Sequence, residues 1–166
     1  VLTGLVTDPY VLTAVATGLT AGDSGNITLT VGTATKLAVS APASTQNAAA
    51  FPSAVTVTVQ DVSGNTVTSD DTTEVTLSKK SGLGVLSGTG VTSGEVTGTV
   101  TDGVVSFSGL VLTGLVTDPY VLTAVATGLT AGDSGNITLT PGTATKLAVS
   151  APASDRKSTR LNSSHT

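Results

Sequence analysis

The densest group of side chains able to do chemistry is Asp70, Asp71 and Glu74. Three carboxylates within five residues could lend oxygens to a calcium ion, provided a neighbouring domain supplied the rest of the six to eight that calcium takes. Like charges crowded on one turn are more commonly just solvated, so an exposed acidic turn is the expectation. Asp61-Val62-Ser63-Gly64-Asn65 and Asp133-Ser134-Gly135-Asn136 also carry oxygen-bearing side chains on short loops. One Asp and one Asn supply too few ligands, and neither loop has the closing glutamate of an EF-hand. Asp, Ser and Asn at such positions bond their own backbone, which predicts tight turns.

Lys79-Lys80 could meet an anionic ligand, but a charged doublet at a strand end more simply discourages edge pairing. Tyr10 and Tyr120 could stack on a sugar ring. With two Tyr, two Phe and no Trp, the chain cannot build an extended aromatic platform for carbohydrate.

Composition removes most other chemistry. Without Cys there is no disulfide framework, thiolate metal site or cysteine nucleophile. The sole His, His165, and both arginines, Arg156 and Arg160, fall in the last twelve residues, DRKSTRLNSSHT. Residues 155–165 resemble a translated sequencing adapter at every position, so 155–166 is read as a non-native tail and set aside from fold reasoning. The remainder holds 10 acidic and 4 basic residues, with no His and no Arg. It has no means to build a Ser-His-Asp or Cys-His centre, a histidine metal site or an arginine clamp on phosphate, and the chain is expected not to be an enzyme and to need no cofactor. A net charge of −4 and a pI near 4.6 argue against a nucleic-acid surface. No membrane span is expected. Residues 103–117 are uncharged but number 15, below the ~18 a span needs, and 37–60 is interrupted by Pro42 and Pro52.

The elements that must position these residues follow from two periodicities. The long one is a repeat: residues 1–44 recur as 111–154 with 43 of 44 positions identical, Val31 becoming Pro141. A fixed period of 110 residues predicts a tandem array of domains. Residues 1–32 read as the C-terminal part of one repeat, 33–142 as a complete repeat, and 143–154 as the start of another. The short period is two. Val55, Val57 and Val59 alternate with Thr56, Thr58 and Gln60, and Tyr120, Leu122 and Ala124 alternate with Val121, Thr123 and Val125. Strands are expected at 36–40, 54–61, 66–68, 74–79, 96–101, 104–108, 119–127 and 136–140. Asp102-Gly103 is the strongest hairpin signal and should join 96–101 to 104–108. Val and Thr supply 56 of the 166 residues, which suits strands. Short strands separated by turns every 8–12 residues predict an all-β, immunoglobulin-like Greek-key sandwich, with Val55, Val57, Val59, Phe107, Leu122 and Ile137 in its core.

The segments TATKLAVSAPAS, AVTVTVQDVSGNTV, TTEVTLS, GVLSGTG, DGVVSFSGL, PYVLTAVATGL and NITLT resemble the bacterial immunoglobulin-like repeats of large surface and secreted proteins of adhesin type. The resemblance covers 33–142 and the partial copies beside it. It implies a sandwich without an inter-sheet disulfide, an extracellular or cell-surface location, and a non-catalytic spacer role that positions a distal adhesive domain. The alternative it leaves is a ligand-binding module, calcium-dependent through Asp70, Asp71 and Glu74 or carbohydrate-binding. Tyr120 resembles a tyrosine corner. The expected partners are neighbouring repeats in the chain. The 1–30 copy, lacking its own earlier strands, is expected to fray or to exchange between molecules in a domain-swapped dimer.

Overall fold

A computed structural model describes residues 1–150; the adapter-like tail at 155–166 lies outside the described residues. The described chain is all-β. Ahead of the main body, β1 (Thr13–Ala14) and β2 (Gly22–Asp23) form a short antiparallel hairpin. The body contains β3 (Lys36–Ser40), β4 (Ser44–Gln46), β5 (Val55–Gln60), β6 (Glu74–Ser81), β7 (Gly84–Gly88), β8 (Glu95–Thr99), β9 (Val104–Phe107), β10 (Leu110–Gly114), β11 (Pro119–Val125), β12 (Gly132–Asp133) and β13 (Ile137–Thr140).

These strands pack as a β-sandwich. One sheet has the order β3-β5-β9, antiparallel throughout. The other runs β4-β13-β11-β6-β8, with β12 also on β11; its one parallel pair is β4 with β13. β7 and β10 pair as a separate antiparallel ribbon. The alternation in sequence decides which face is buried. Val55, Val57 and Val59 of β5 form one hydrophobic cluster with Val75 and Leu77 of β6, Leu122 and Ala124 of β11, and Ile137 and Leu139 of β13. Leu86, Leu110 and Leu112 bring the ribbon into the same cluster. All six residues expected in the core are buried. Each large aliphatic side chain so buried contributes about 1.5–3 kcal/mol. Among the described residues, no helix is long and apolar enough to cross a membrane.

Three expectations need correction. Residues 66–68 form no strand: Thr66 makes an isolated bridge to Gln60, and Val67 N donates to Val59 O at 2.9 Å, so the segment folds back on the end of β5. The Asp102-Gly103 turn is present, with φ of 50° and 73° and reciprocal hydrogen bonds between Thr101 and Val104. Its flanks do not continue as a hairpin. β8 pairs with β6 and β9 with β5, so the chain crosses between sheets at this turn. Finally, β4, β7, β10 and β12 have no counterpart in the expected set. They are short or have few buried residues; β7, for example, buries Leu86 alone.

Tyr120 locks one end of the sandwich. It is fully buried, and its single hydroxyl hydrogen is shared between two carbonyl oxygens, Leu83 O at 3.1 Å and Leu115 O at 3.0 Å. A Cβ on Gly82 would overlap the Tyr120 ring and one on Gly114 its hydroxyl oxygen, which is why neither position carries a side chain. Beside it, the Asn47 carboxamide pairs with Gly114 like a peptide group, Nδ2 donating to Gly114 O and Gly114 N donating to Oδ1, both at 3.0 Å.

The N-terminal copy reproduces this region without the rest of a sandwich. Thr13↔Asp23 and Ala14↔Gly22 match Thr123↔Asp133 and Ala124↔Gly132. Leu12 N donates to Ser24 Oγ at 2.9 Å, as Leu122 N does to Ser134 Oγ at 2.9 Å. The packing differs: Leu122 is 0% exposed and Leu12 is 57% exposed.

Candidate functional site

The loop after β5 meets the N-terminal copy. Asp61 directly follows the strand, and its carboxylate organises the turn: Oδ1 accepts from Ser63 N at 3.0 Å and Asn65 N at 2.9 Å. Gly64 takes the positive φ, 93°, that closes the turn. The other oxygen, Oδ2, accepts from Asn65 Nδ2 at 2.9 Å and from Gly32 N, in the linker 30–33 that leads from the N-terminal copy to β3, at 3.0 Å. Asn65 in turn reaches the preceding copy. Its Oδ1 accepts from Val6 N at 2.9 Å, and its Nδ2 donates to Gly4 O at 3.0 Å.

Asp61 and Asn65 are both buried, and both Nδ2 hydrogens of Asn65 are used. This network decides the protonation of Asp61. The Asn65 side chain, then Gly32 N and the Asn65 and Ser63 amides, hold the carboxyl below its ordinary value, at about 2, against a smaller opposing effect of burial. The arrangement joins two copies of the repeat at two points, the 4–6 turn and the linker. Leu5, Val6 and Val31 line a shallow cleft there with Gly64, Asn65 and Thr66.

The acidic turn is organised differently. Asp70 Oδ1 accepts from Thr72 N at 3.1 Å and Thr73 N at 3.0 Å, and Oδ2 from the Thr73 hydroxyl at 2.6 Å. The Thr73 hydroxyl is the main reason the Asp70 carboxyl titrates lower than usual. Asp71 Oδ1 accepts from Asp102 N at 2.7 Å, and Asp70 O from Gly103 N at 2.8 Å, so this turn docks on the crossover between sheets. Glu74 starts β6 and is exposed. The three carboxylates are not brought together as a ligand set: among the described residues, no group of three His, Cys, Asp or Glu side chains is placed to hold a metal ion.

The remaining candidates bond within the fold. Lys79 Nζ donates to Gly82 O at 2.8 Å, and Lys80 forms an exposed ion pair with Asp133 that lowers the Asp133 pKa. Ser134 supplies its hydroxyl to Leu122 N where β11 shifts register. Tyr10, like Tyr120, hydrogen-bonds the carbonyl five residues upstream, Leu5 O, at 3.2 Å.

Sequence reasoning reads the 61–65 segment as a tight turn, and the Asp61 carboxylate does make one. The contact of Asn65 with the previous copy carries no sequence signature, because Asn65 binds backbone atoms of Gly4 and Val6 whose side chains play no part. No protein-family model matches the chain, and no curated protein matches it.

Proposed function

We propose that this chain is a non-catalytic spacer unit of a tandem immunoglobulin-like array, from a large extracellular or surface-exposed bacterial protein, that holds a distal adhesive domain away from its anchor. The observation that carries the reading is the joint. Residues of the complete repeat fix both the linker and a turn of the copy before it, which is what a spacer needs if it is to transmit length rather than flex freely. A bare linker of four residues, Thr30-Val31-Gly32-Thr33, would leave the two copies free to swing. Near-identity of the flanking copies supports it too, since in arrays of equivalent units stability is a sum of unit and neighbour terms. Its partners on this reading are neighbouring repeats, and identical hairpins of separate molecules compete for one place in the sandwich.

The test is a set of chains with one, two and three complete repeats, compared by small-angle scattering. A maximum dimension that grows by the same increment with each repeat is expected. Growth that falls away, as in a flexible or collapsed chain, would overturn the spacer reading.

A further inference from the structure

The 114–116 turn has the same sequence as the 4–6 turn. It also has the same shape. Asp118 N donates to Leu115 O at 3.3 Å, as Asp8 N does to Leu5 O at 3.3 Å. Tyr120 holds Leu115 O as Tyr10 holds Leu5 O. The two turns differ in what covers them. Val6 is half-buried and its N–H donates to Asn65. Among the described residues nothing accepts from Val116 N; Leu115 is 54% and Val116 41% exposed.

Residues farther along the chain are more exposed still. Leu147 and Val149 are 97% and 94% exposed, whereas Leu37, the counterpart of Leu147, is 4% exposed and Val39 packs on the core.

We infer that the 114–116 turn is the docking site for a following copy of this repeat, whose 61–65 loop clasps it as Asp61 and Asn65 clasp the 4–6 turn and Gly32. The inference rests on the spacer reading and names the surface through which one unit receives the next. The occupant is fixed by sequence identity: the same turn is already seated in that way once in this chain, and the segment leading onward from Gly142 repeats the one leading onward from Gly32.

Two differences between the ends are compatible with the same joint. Pro141 replaces Val31, and proline lacks an N–H. The clasp uses the N–H of the next residue, Gly32, which Gly142 retains. Gly114 O already accepts from Asn47, whereas Gly4 O accepts from Asn65. A carbonyl has two lone pairs, so Gly114 O can take a second donor. Asn47 and Tyr120 then act in favour of docking, because they hold the turn in its bound shape before the partner arrives.

The experiment compares the present chain with an extended one in which residues 1–142 are followed by a second copy of 33–142, using amide hydrogen exchange resolved at Val116. Exchange at Val116 is expected to slow at least about tenfold in the extended chain, as one new hydrogen bond in a folded joint requires. Asn65→Ala in the second copy alone should restore fast exchange at Val116, while the same substitution in the first copy should release Val6 and leave Val116 protected. Core amides of each copy report whether the variants remain folded, and the comparison of the two unsubstituted chains needs no variant. Equal rates at Val116 in both chains overturn the docking site, as does protection that survives Asn65→Ala in a folded second copy. A chain that lengthens with each repeat but leaves Val116 unprotected refutes this joint alone. A protected Val116 in chains that fail to lengthen refutes the spacer reading alone.

Discussion

Asn65 Oδ1 accepts the Val6 N–H at 2.9 Å across 59 positions of sequence, and the residue identical to Val6 in the next copy, Val116, is exposed. The repeat thus contains its own control. Val6 and Val116 have the same neighbours on both sides, so their intrinsic chemical exchange rates are equal. In the chain as it stands, we expect the Val6 amide to exchange at least about tenfold more slowly than the Val116 amide. Equal rates measured by NMR would mean that the joint does not hold in solution.

The same pairing of copies separates burial from sequence. Leu12 and Leu122 sit in identical local sequence, one 57% exposed and the other 0% exposed. Leu122→Ala removes packed methyl groups between two sheets and should cost about 2–5 kcal/mol. Leu12→Ala should change stability by less than ~0.5 kcal/mol, as at other exposed positions. Urea unfolding of the two variants checks this, and similar losses would mean that the N-terminal hairpin packs in a core of its own.

How much of this was legible in the sequence divides along physical lines. Strands that bury every second residue, such as β5 with Val55, Val57 and Val59, are written in a period of two, and their position is recoverable within a residue. The Asp102-Gly103 turn was equally visible, because only a few residue types accept two successive positive φ angles. Pairing was not. Thr101 and Val104 bridge, and then β8 and β9 part to opposite sheets, a choice set by the tertiary partners β6 and β5 and not by the turn. The acidic turn is legible only as a cluster of charges. That Asp70 would bind Thr73 and Asp71 would bind Asp102 N depends on loop geometry the composition does not carry. Asn65 was the least legible residue, since its ligands are main-chain atoms of another copy.

Tyr120 should matter through its hydroxyl as well as its ring. Tyr120→Phe keeps the apolar packing, leaves Leu83 O without the hydroxyl and leaves Leu115 O with the Asp118 N–H alone. Leaving an acceptor such as Leu83 O unpaired costs about 1–3 kcal/mol, and this should appear as a lower urea midpoint with an unchanged slope. Tyr10→Phe, on a turn outside the sandwich, should leave the midpoint unchanged. An unaltered Tyr120→Phe would show that water replaces the hydroxyl at no cost.

The joint should loosen in acid before the sandwich does. Asp61 titrates at about 2 when folded, below the ordinary aspartate value of 3.8. A carboxyl depressed in the folded state stabilises above its unfolded value and loses that contribution as pH falls through its folded value. Between about pH 4 and pH 2, the Gly32 and Val6 amide resonances should therefore move toward their unclasped positions. Asp61→Asn keeps the size but loses one of the two carboxylate oxygens, so it should give the unclasped spectrum at neutral pH with no acid step. Asp70 is depressed as well, but its titration should be read at the Thr73 amide, which it holds. An acid step at Gly32 that survives Asp61→Asn would assign the joint's pH response to another group.

Identical hairpins should also exchange between molecules. Val11, Leu12, Val15 and Leu19 are 48%, 57%, 80% and 74% exposed on the N-terminal copy, while the same hairpin at 111–140 has Leu122 in the core. Nothing in its sequence distinguishes the covered hairpin from the uncovered one, so residues 1–30 of one molecule can replace 111–140 of another, releasing a hairpin of equal composition. A monomer is expected at low concentration and a domain-swapped dimer at high concentration by size exclusion. Substitution at Leu12 discriminates this from simple association. Leu12→Asp is harmless in the monomer, where the side chain is in water, but after exchange it would place a carboxylate in the fully buried Leu122 position, at a cost of several kcal/mol. The variant should therefore stay monomeric across the whole concentration series. A dimer that persists in Leu12→Asp would be held by some other surface, and a wild-type chain that remains monomeric throughout would show that 111–140 is never displaced.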